Sequence, residues 1–360
     1  MGQEQELVRI RDRIDSIDRQ LMALIAERAD CAHQVAQIKI AAGDRRFYRP
    51  EREAQILRRI KSENPGPLGD EEMTRLFREI MSACLALEQP LSVAYLGPAG
   101  TFTQTAALKH FGHSVQTVPL GTIPEIFRDV EAGAAHYGVV PVENSTEGVV
   151  SHTLDTFMTS PLRICGEVCV RIHHHLLSRE RDLQAITAVY THQQTLAQCR
   201  DWLDENLPRA ERIPVASNAE AARLVTERAG AAAVASEAAA EIYQLDILAE
   251  RIEDEPDNTT RFLIIGRADA PMSGHDKTSL LLACRNEAGG LHAMLTPLAD
   301  HQISMTRIES RPSRRGIWDY VFFVDIIGHR EDPRVQAALE HLERDTLFLK
   351  VLGSYPEAVL

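Results

Sequence analysis

Gly138-Val-Val-Pro-Val-Glu-Asn-Ser-Thr-Glu-Gly148 decides how the middle of this chain folds. The apolar run breaks at a proline and then delivers Glu143, Asn144 and Ser145 together. Burying unpaired donors and acceptors is costly, so polar groups crowded at the end of a buried strand are better explained by a ligand than by packing. A second cluster, Asn258-Thr-Thr-Arg-Phe262, feeds directly into the apolar run Leu263-Ile-Ile-Gly266. Two such clusters predict one site closed from two sides. Around them, apolar runs such as Val93–Leu96, Tyr137–Val140 and Ala185–Tyr190 alternate with alanine-rich helical segments such as Ala219–Val225, the pattern of a parallel α/β sheet.

The chain has 360 residues, 44% of them hydrophobic and 25% charged, a length for two or three domains. No apolar window is long enough to span a bilayer and the opening Met-Gly-Gln-Glu-Gln-Glu is acidic, so a soluble, cytoplasmic protein without a membrane partner is expected. A net charge of −13 repels phosphate backbones, which argues against a nucleic-acid partner. The six cysteines are scattered, and Cys165/Cys169 lack a second pair at zinc-ligand spacing. His173-His-His175 does not converge on one ion if it is extended, because neighbours in a strand point to opposite faces. Gly97-Pro-Ala-Gly100 lacks the spacing of a dinucleotide loop. Neither a metal nor a cofactor is expected.

Composition shifts mark three units: a charged helical opening over residues 1–90, the α/β region over 91–270, and, after a polar stretch, a last unit over 277–360. In the opening helix Ile17, Leu21, Leu24, Arg28, Cys31, Val35 and Ile38 form one stripe, with a guanidinium inside the apolar face. Lys39 follows Arg28 by about three turns and projects from nearly the same side. Arg11 lies roughly 100° away around the helix, free to reach another chain. Ninety residues make a thin core for so long an amphipathic helix, so a homodimer or higher homo-oligomer is expected.

The middle unit resembles the prephenate dehydratase family through Gly97-Pro-Ala-Gly-Thr-Phe102, the Pro141–Gly148 stretch, Thr191-His-Gln-Gln194 and Thr260-Arg-Phe262, four motifs in order. Thr103 and Thr191 stand where the family pattern has serine, and both keep a hydroxyl. The resemblance implies a two-lobed, periplasmic-binding-protein-like α/β domain that expels carbon dioxide and hydroxide from prephenate. Thr260 is then the candidate for helping the hydroxide leave. Thr101, Asn144, Ser145, Thr191, Gln194 and Phe262 are expected to bind substrate. Arg261 serves either the substrate carboxylates or the loop's own geometry.

The first unit resembles the all-α chorismate mutases, which form intertwined dimers. That resemblance makes Arg28 and Arg52 the grips on the two carboxylates of chorismate, Lys39 the partner of its ether oxygen, Glu53 the holder of its hydroxyl, and Arg11 a contribution from the second subunit. Glu88 stands where the family commonly has glutamine and Cys84 replaces a serine, while Arg49 departs from an aspartate. A carboxylate at 88 would repel a developing oxyanion, so Glu88 is expected to work protonated. The last unit, with a strand, helix, strand, strand order, resembles the α+β, ferredoxin-like ACT domains. By that resemblance Asn286, Gly289, Gly290, Leu291, His292, Glu309, Ser310, Arg311 and Pro312 bind L-phenylalanine between paired domains and inhibit the enzyme. The combined expectation is a bifunctional enzyme of phenylalanine biosynthesis, chorismate to prephenate to phenylpyruvate. The alternative is an active mutase fused to a solute-binding sensor domain, because two-lobed α/β folds also serve as plain binders.

Overall fold

A computed structural model describes residues 3–44, 46–283, 287–313 and 320–359. Three helices come first: α1 (Gln3–Ala41), α2 (Pro50–Glu63) and α3 (Asp70–Glu88). α1 has 39 residues, yet Ala36 alone is buried along it. α2 starts on a proline, whose missing N–H costs nothing at a helix start. Its buried Ala54 and Leu57 face α3, whose Met81 and Cys84 are buried in turn.

Two sheets form the middle unit. The first lobe runs β1 (Ser92–Leu96), α4 (Phe102–Phe111), β2 (Gln116–Leu120), α5 (Ile123–Ala132), β3 (Tyr137–Asn144), β4 (Gly148–Val149), α6 (Ser151–Phe157) and β5 (Arg163–Arg171). The chain then crosses to the second lobe: β6 (His175–Ser178), β7 (Ala188–His192), α7 (Gln193–Gln198), α8 (Arg200–Asn206), β8 (Glu211–Val215), α9 (Asn218–Val225), β9 (Ala231–Ala235), α10 (Glu237–Tyr243) and β10 (Asp246–Ala249). It returns through β11 (Thr259–Gly266), which enters the first sheet between β3 and β5, giving β2-β1-β3-β11-β5 with β4 paired to β3; the second sheet is β10-β6-β9-β7-β8. Two crossings join the lobes, after β5 and before β11. They are pinned to each other by Ile172 N–H to Asn258 O at 2.8 Å and Ile252 N–H to His174 O at 2.8 Å.

The last unit is β12 (Asp276–Ala283), α11 (Gly290–Asp300), β13 (Met305–Pro312), β14 (Tyr320–Ile327), α12 (Pro333–Asp345) and β15 (Phe348–Pro356). Its antiparallel sheet, in order β13-β14-β12-β15, packs Leu280, Leu282, Val324 and Ile326 under both helices. This is the expected ferredoxin-like arrangement.

The units share packing. Leu281, Phe323, Leu352 and Tyr355 of the last sheet join the core of the first lobe with Phe127, Phe157 and Ile164. A Cβ on Gly353 would run into the backbone of Ile164, so β15 lies against β5 at a distance only glycine permits. The helical unit docks through Arg78, which donates to the carbonyls of Lys109 (2.5 Å) and His110 (2.9 Å), and through Arg58, which reaches Ser273, His275 and Glu357.

Candidate active site and its relatives

The strand ends that carried the polar clusters meet where the sequence placed them. β11 pairs antiparallel with β3 so that Thr260 stands opposite Asn144. Asn144 Nδ2 donates to Thr260 Oγ1 at 2.8 Å and to Asn258 Oδ1 at 2.7 Å. The orientation of that amide is fixed, because Asn144 Oδ1 accepts from the backbone N–H groups of Thr146 and Glu147, both at 2.9 Å. Thr260 therefore accepts from Asn144 and retains its own O–H to donate. A hydroxyl that accepts one hydrogen bond is polarised into a better donor for the next.

These residues line a cleft of about 1100 Å³ between the lobes. Thr101, Asn144, Thr260 and Phe262 line it from the first lobe, and Gln194 and Gln198 from the second. Two helices begin at it from opposite lobes: α4, capped by the Thr101 hydroxyl on Gln104 N–H, and α9, capped by Ser217 on Glu220 N–H at 3.1 Å. Helix starts present free N–H groups and favour anions. Among the described residues lining the cleft none is lysine or arginine, so an anionic ligand meets neutral donors there.

Glu147 bridges the lobes, accepting from Gln194 Nε2 at 3.0 Å and Gln198 Nε2 at 3.2 Å. Because Gln198 donates through its nitrogen, its oxygen accepts, and His174 Nε2 at 2.9 Å carries the hydrogen. Burial holds the His174 imidazole below its usual range, so it is neutral. Loop Gly97–Thr101 completes the closure: Gly100, at φ +87, lies against Ala239, its carbonyl accepts from Ser236 Oγ at 2.8 Å, and Ala99 O accepts from Tyr243 OH at 3.0 Å.

Three expected substrate donors sit elsewhere. Thr191 is fully buried and its hydroxyl donates to Val234 O (2.7 Å), with Asn218 Oδ1 beside it at 2.9 Å, so it shapes the start of α7 rather than contacting a ligand. Ser145 Oγ accepts from Thr259 N–H at 2.9 Å, clamping the β3 and β11 ends together. Arg261, one residue past Thr260 on a strand, points away from the cleft to Glu167, Asp325 and Tyr355. Asn258 belongs to the second polar cluster, and His174 enters the cleft wall as a hydrogen-bond donor rather than a metal ligand, while Glu147, Gln198 and Ser217 are cleft residues outside the expected site set. Gln198 and Ser217 carry a signal in the sequence: Gln198 lies four residues after Gln194 on one helix face, and Ser217-Asn-Ala-Glu220 has the capping-box spacing.

In the helical unit, Glu88 is only partly exposed and one of its oxygens is buried without a hydrogen bond. Burial raises its carboxyl above the ordinary value, against the opposing pull of Lys39, Arg28 and His33. Arg28 and Lys39 of α1 thus both act on the Glu88 carboxyl of α3. Arg52 is exposed on the first turn of α2, and Arg11 is exposed on α1. Glu53 faces another way: it pairs with Arg78 at 3.7 Å and lines a small cavity with Tyr48, His110 and Glu167 at the junction with the α/β unit. In the single chain its carboxylate is thus engaged at that junction.

In the last unit, Gly289 caps α11 at φ +83, a backbone conformation that glycine supplies without strain, and Leu291 and His292 are exposed on the first turn. Glu309, Ser310, Arg311 and Pro312 lie on edge strand β13. Arg311 is already engaged, donating to Ser151 Oγ at 2.7 Å and Asp155 Oδ1 at 2.8 Å. Asn286 falls outside the described residues.

Clustered cations on a helical unit, a two-lobed cleft built of hydroxyl and amide groups, and an α+β sandwich docked beside it define a multidomain enzyme acting on small polar molecules. Family comparisons agree unit by unit: chorismate mutase type II matches residues 10–89, prephenate dehydratase 93–270 and the ACT domain 278–344. The bifunctional chorismate mutase/prephenate dehydratase of Stutzerimonas stutzeri is 56% identical over the whole of both chains, and that of Pseudomonas aeruginosa 55% identical over the whole of both. A prephenate dehydratase from Arthrobacter aurescens, solved in complex with L-Phe, superposes with a TM-score of 0.69 at 36% identity, covering 74% of this chain and 90% of that one. The chain belongs to the bifunctional chorismate mutase/prephenate dehydratase family.

Proposed function

We propose that the chain rearranges chorismate to prephenate in its helical unit (1–90) and converts prephenate to phenylpyruvate in its α/β unit (91–270), under feedback by L-phenylalanine bound to the last unit (277–360). The observation that carries the dehydratase assignment is the Asn144–Thr260 hydrogen bond inside the cleft. Hydroxide leaves poorly unless it receives a hydrogen bond or proton as the C–O bond breaks, and Thr260 has its O–H free to supply one. The decarboxylating ring becomes aromatic, which drives the loss of both groups. The starts of α4 and α9, with the amides of Gln194 and Gln198, hold the two carboxylates; Glu147 occupies those amides while substrate is absent.

The mutase reaction is intramolecular and needs a compact conformer with charge stabilised on the ether oxygen. Arg28 and Lys39 supply cations, Arg52 a further grip on a carboxylate, and protonated Glu88 a donor to the ether oxygen. Arg11 serves the site of a second copy, which makes the working form at least a homodimer. The cytoplasm, where aromatic amino acids are assembled from soluble intermediates, is the proposed location. Among the described residues no helix is long and apolar enough to cross a membrane.

A single time course tests the assignment: purified protein is given chorismate, and chorismate loss and phenylpyruvate formation are followed with and without L-phenylalanine. Phenylpyruvate that accumulates, and slows with phenylalanine, is the expected result. Prephenate accumulating instead would leave a mutase beside a domain that only binds.

A further inference from the structure

Thr260 and Arg261 are adjacent but face opposite sides of β11, and what Arg261 holds is outside the cleft. Its guanidinium forks to three acceptors: Nε to Glu167 Oε2 at 2.8 Å, Nη1 to Asp325 Oδ2 at 2.6 Å, and Nη2 to Tyr355 OH at 3.0 Å. Glu167 is on β5 of the same lobe, whereas Asp325 and Tyr355 are on β14 and β15 of the last unit. The network is closed. Glu167 Oε1 accepts from Lys277 Nζ at 2.8 Å, Asp325 Oδ1 accepts from Ser279 Oγ at 2.5 Å, and Ser279 Oγ is 2.7 Å from Tyr355 OH. Two cations thus meet two carboxylates that are each 4% exposed. A buried pair completed in this way resists displacement, because freeing either partner would strand a charge away from water.

The network attaches where the β3–β11 ladder is interrupted. β11 and β3 shift register between Arg261 and Phe262, so Thr260 pairs with Asn144 and Arg261 with Glu143, but Phe262 pairs with Pro141. A bulge leaves a residue out of the ladder, and Pro141 has no N–H to offer it. On the β5 side Thr260, Arg261 and Phe262 stay in register with Val170, Cys169 and Val168, so the break lies only on the side that faces Asn144, and there side chains must set the spacing. The opposite strand shows the same arrangement: Glu143, next to Asn144, reaches Arg307 on β13 at 3.2 Å. Each member of the hydrogen-bonded cleft pair has a neighbour in sequence whose charge is tied to the last unit.

We propose that Arg261 is a positioning residue for dehydration: through Glu167, Asp325 and Tyr355 it fixes the bulged end of β11 against the last unit and so sets where Thr260 stands. Turnover in the cleft then depends on the placement of β14 and β15, and a shift in those strands reaches Thr260 through one side chain. This rests on the role given to Thr260 above. Arg261 does not line the cleft, so its loss acts on the rate of the chemical step rather than on substrate binding.

The test uses the full chain, with prephenate for the dehydratase and chorismate for the mutase. Arg261→Lys keeps the charge but gathers its donors on one nitrogen and loses the planar fork that reaches Glu167, Asp325 and Tyr355 at once. The expected result is a kcat for dehydration lowered on the order of tenfold to a hundredfold, as misplacements of about an ångström produce, with KM changed by less than about threefold and the mutase rate unchanged. Tyr355→Phe removes one hydroxyl remote from the cleft and guards against a folding defect in the lysine variant; it is expected to lower the same kcat several-fold at constant KM. A rise in KM at unchanged kcat in Arg261→Lys would make Arg261 a substrate ligand and overturn the proposal. Unchanged kinetics in both variants, beside an active wild type, would overturn it too while leaving the dehydratase assignment standing. A wild type that makes no phenylpyruvate would bring down that assignment itself.

Discussion

Around the cleft between the lobes, polar groups are answered from within the same chain: Asn144 by Thr260 and Asn258, Glu147 by Gln194 and Gln198, His174 by Gln198. Along α1 the opposite holds. Ile10, Ile14, Ile17, Leu21 and Leu24 are between 40% and 62% exposed on a helix roughly 60 Å long, and Arg28 and Lys39 on it act on the Glu88 carboxyl. An apolar face of that extent fits the homodimer proposed above, in which a second copy covers it. In the proposed function the cleft is built within one chain, whereas the mutase site takes its apolar cover and Arg11 from a second copy. The two activities should therefore respond differently to the same kinds of change.

The largest separation is expected from Thr260→Ala. Loss of the donor to a departing hydroxide should lower dehydratase kcat by about a hundredfold to a thousandfold, the scale set by removing one transition-state donor, with a modest change in KM. The mutase rate, measured on the same sample from chorismate disappearance, should be unchanged. The converse comes from Leu21→Asp combined with Leu24→Asp. Charges on the bare face of α1 should separate the helical units and lower mutase activity by about tenfold or more, since a helix pairing held by apolar burial loses roughly 1.5–3 kcal/mol per large side chain. Dehydratase activity assayed from prephenate should stay within about threefold of wild type, because none of the described residues lining that cleft comes from α1. Equal losses in both activities would break the contrast.

How far the sequence revealed each region follows from the range of the interactions involved. Strand patterns and the two polar clusters were legible because alternation and turn residues are local, and the β3–β11 pairing brought Asn144 to Thr260 as those clusters implied. The alignment of Arg28 and Lys39 was legible for the same reason, since helix periodicity fixes relative direction. What could not be read was which way each polar residue in a motif turns. Thr191, Ser145 and Arg261 carry the same side chains whether they face a ligand or the protein, and the choice is made by Asn218, Thr259 and Asp325, between 27 and 114 residues away. Glu53 is a similar case, drawn to Arg78 at the junction between units.

A smaller effect separates the sites by pH. Burial raises the Glu88 carboxyl and the nearby Lys39 and Arg28 pull it down; a dianionic substrate that neutralises those cations removes the opposing pull and raises it further. A raised carboxyl is neutral below its pKa, so the donor form is lost as pH climbs through that value and mutase activity falls on the alkaline side. Glu88→Gln keeps a donor at every pH. Its profile should be flat, with a few-fold gain over wild type at the alkaline end, read from kcat/KM for chorismate between about pH 5 and 9. An unchanged profile would mean Glu88 does not donate to the ether oxygen.

The smallest change in activity is expected at Thr191, and it sharpens the difference between residues that form the cleft and residues that support it. Its hydroxyl donates within a wall of the second lobe, to Val234 O at 2.7 Å, with Asn218 Oδ1 at 2.9 Å beside it. Asn218 Oδ1 also receives His192 N–H and Thr195 Oγ1, both at 3.0 Å, so one oxygen gathers the start of α7 to the start of α9. Thr191→Val keeps the shape and removes the donor, leaving Val234 O short of a partner in a site with no water access. The cost should be about 1–3 kcal/mol of stability, seen as a lower melting temperature for the α/β unit. KM for prephenate should move by less than about threefold, because Gln194, not Thr191, faces the cleft. A tenfold rise in KM with the melting temperature intact would return Thr191 to the substrate-binding set.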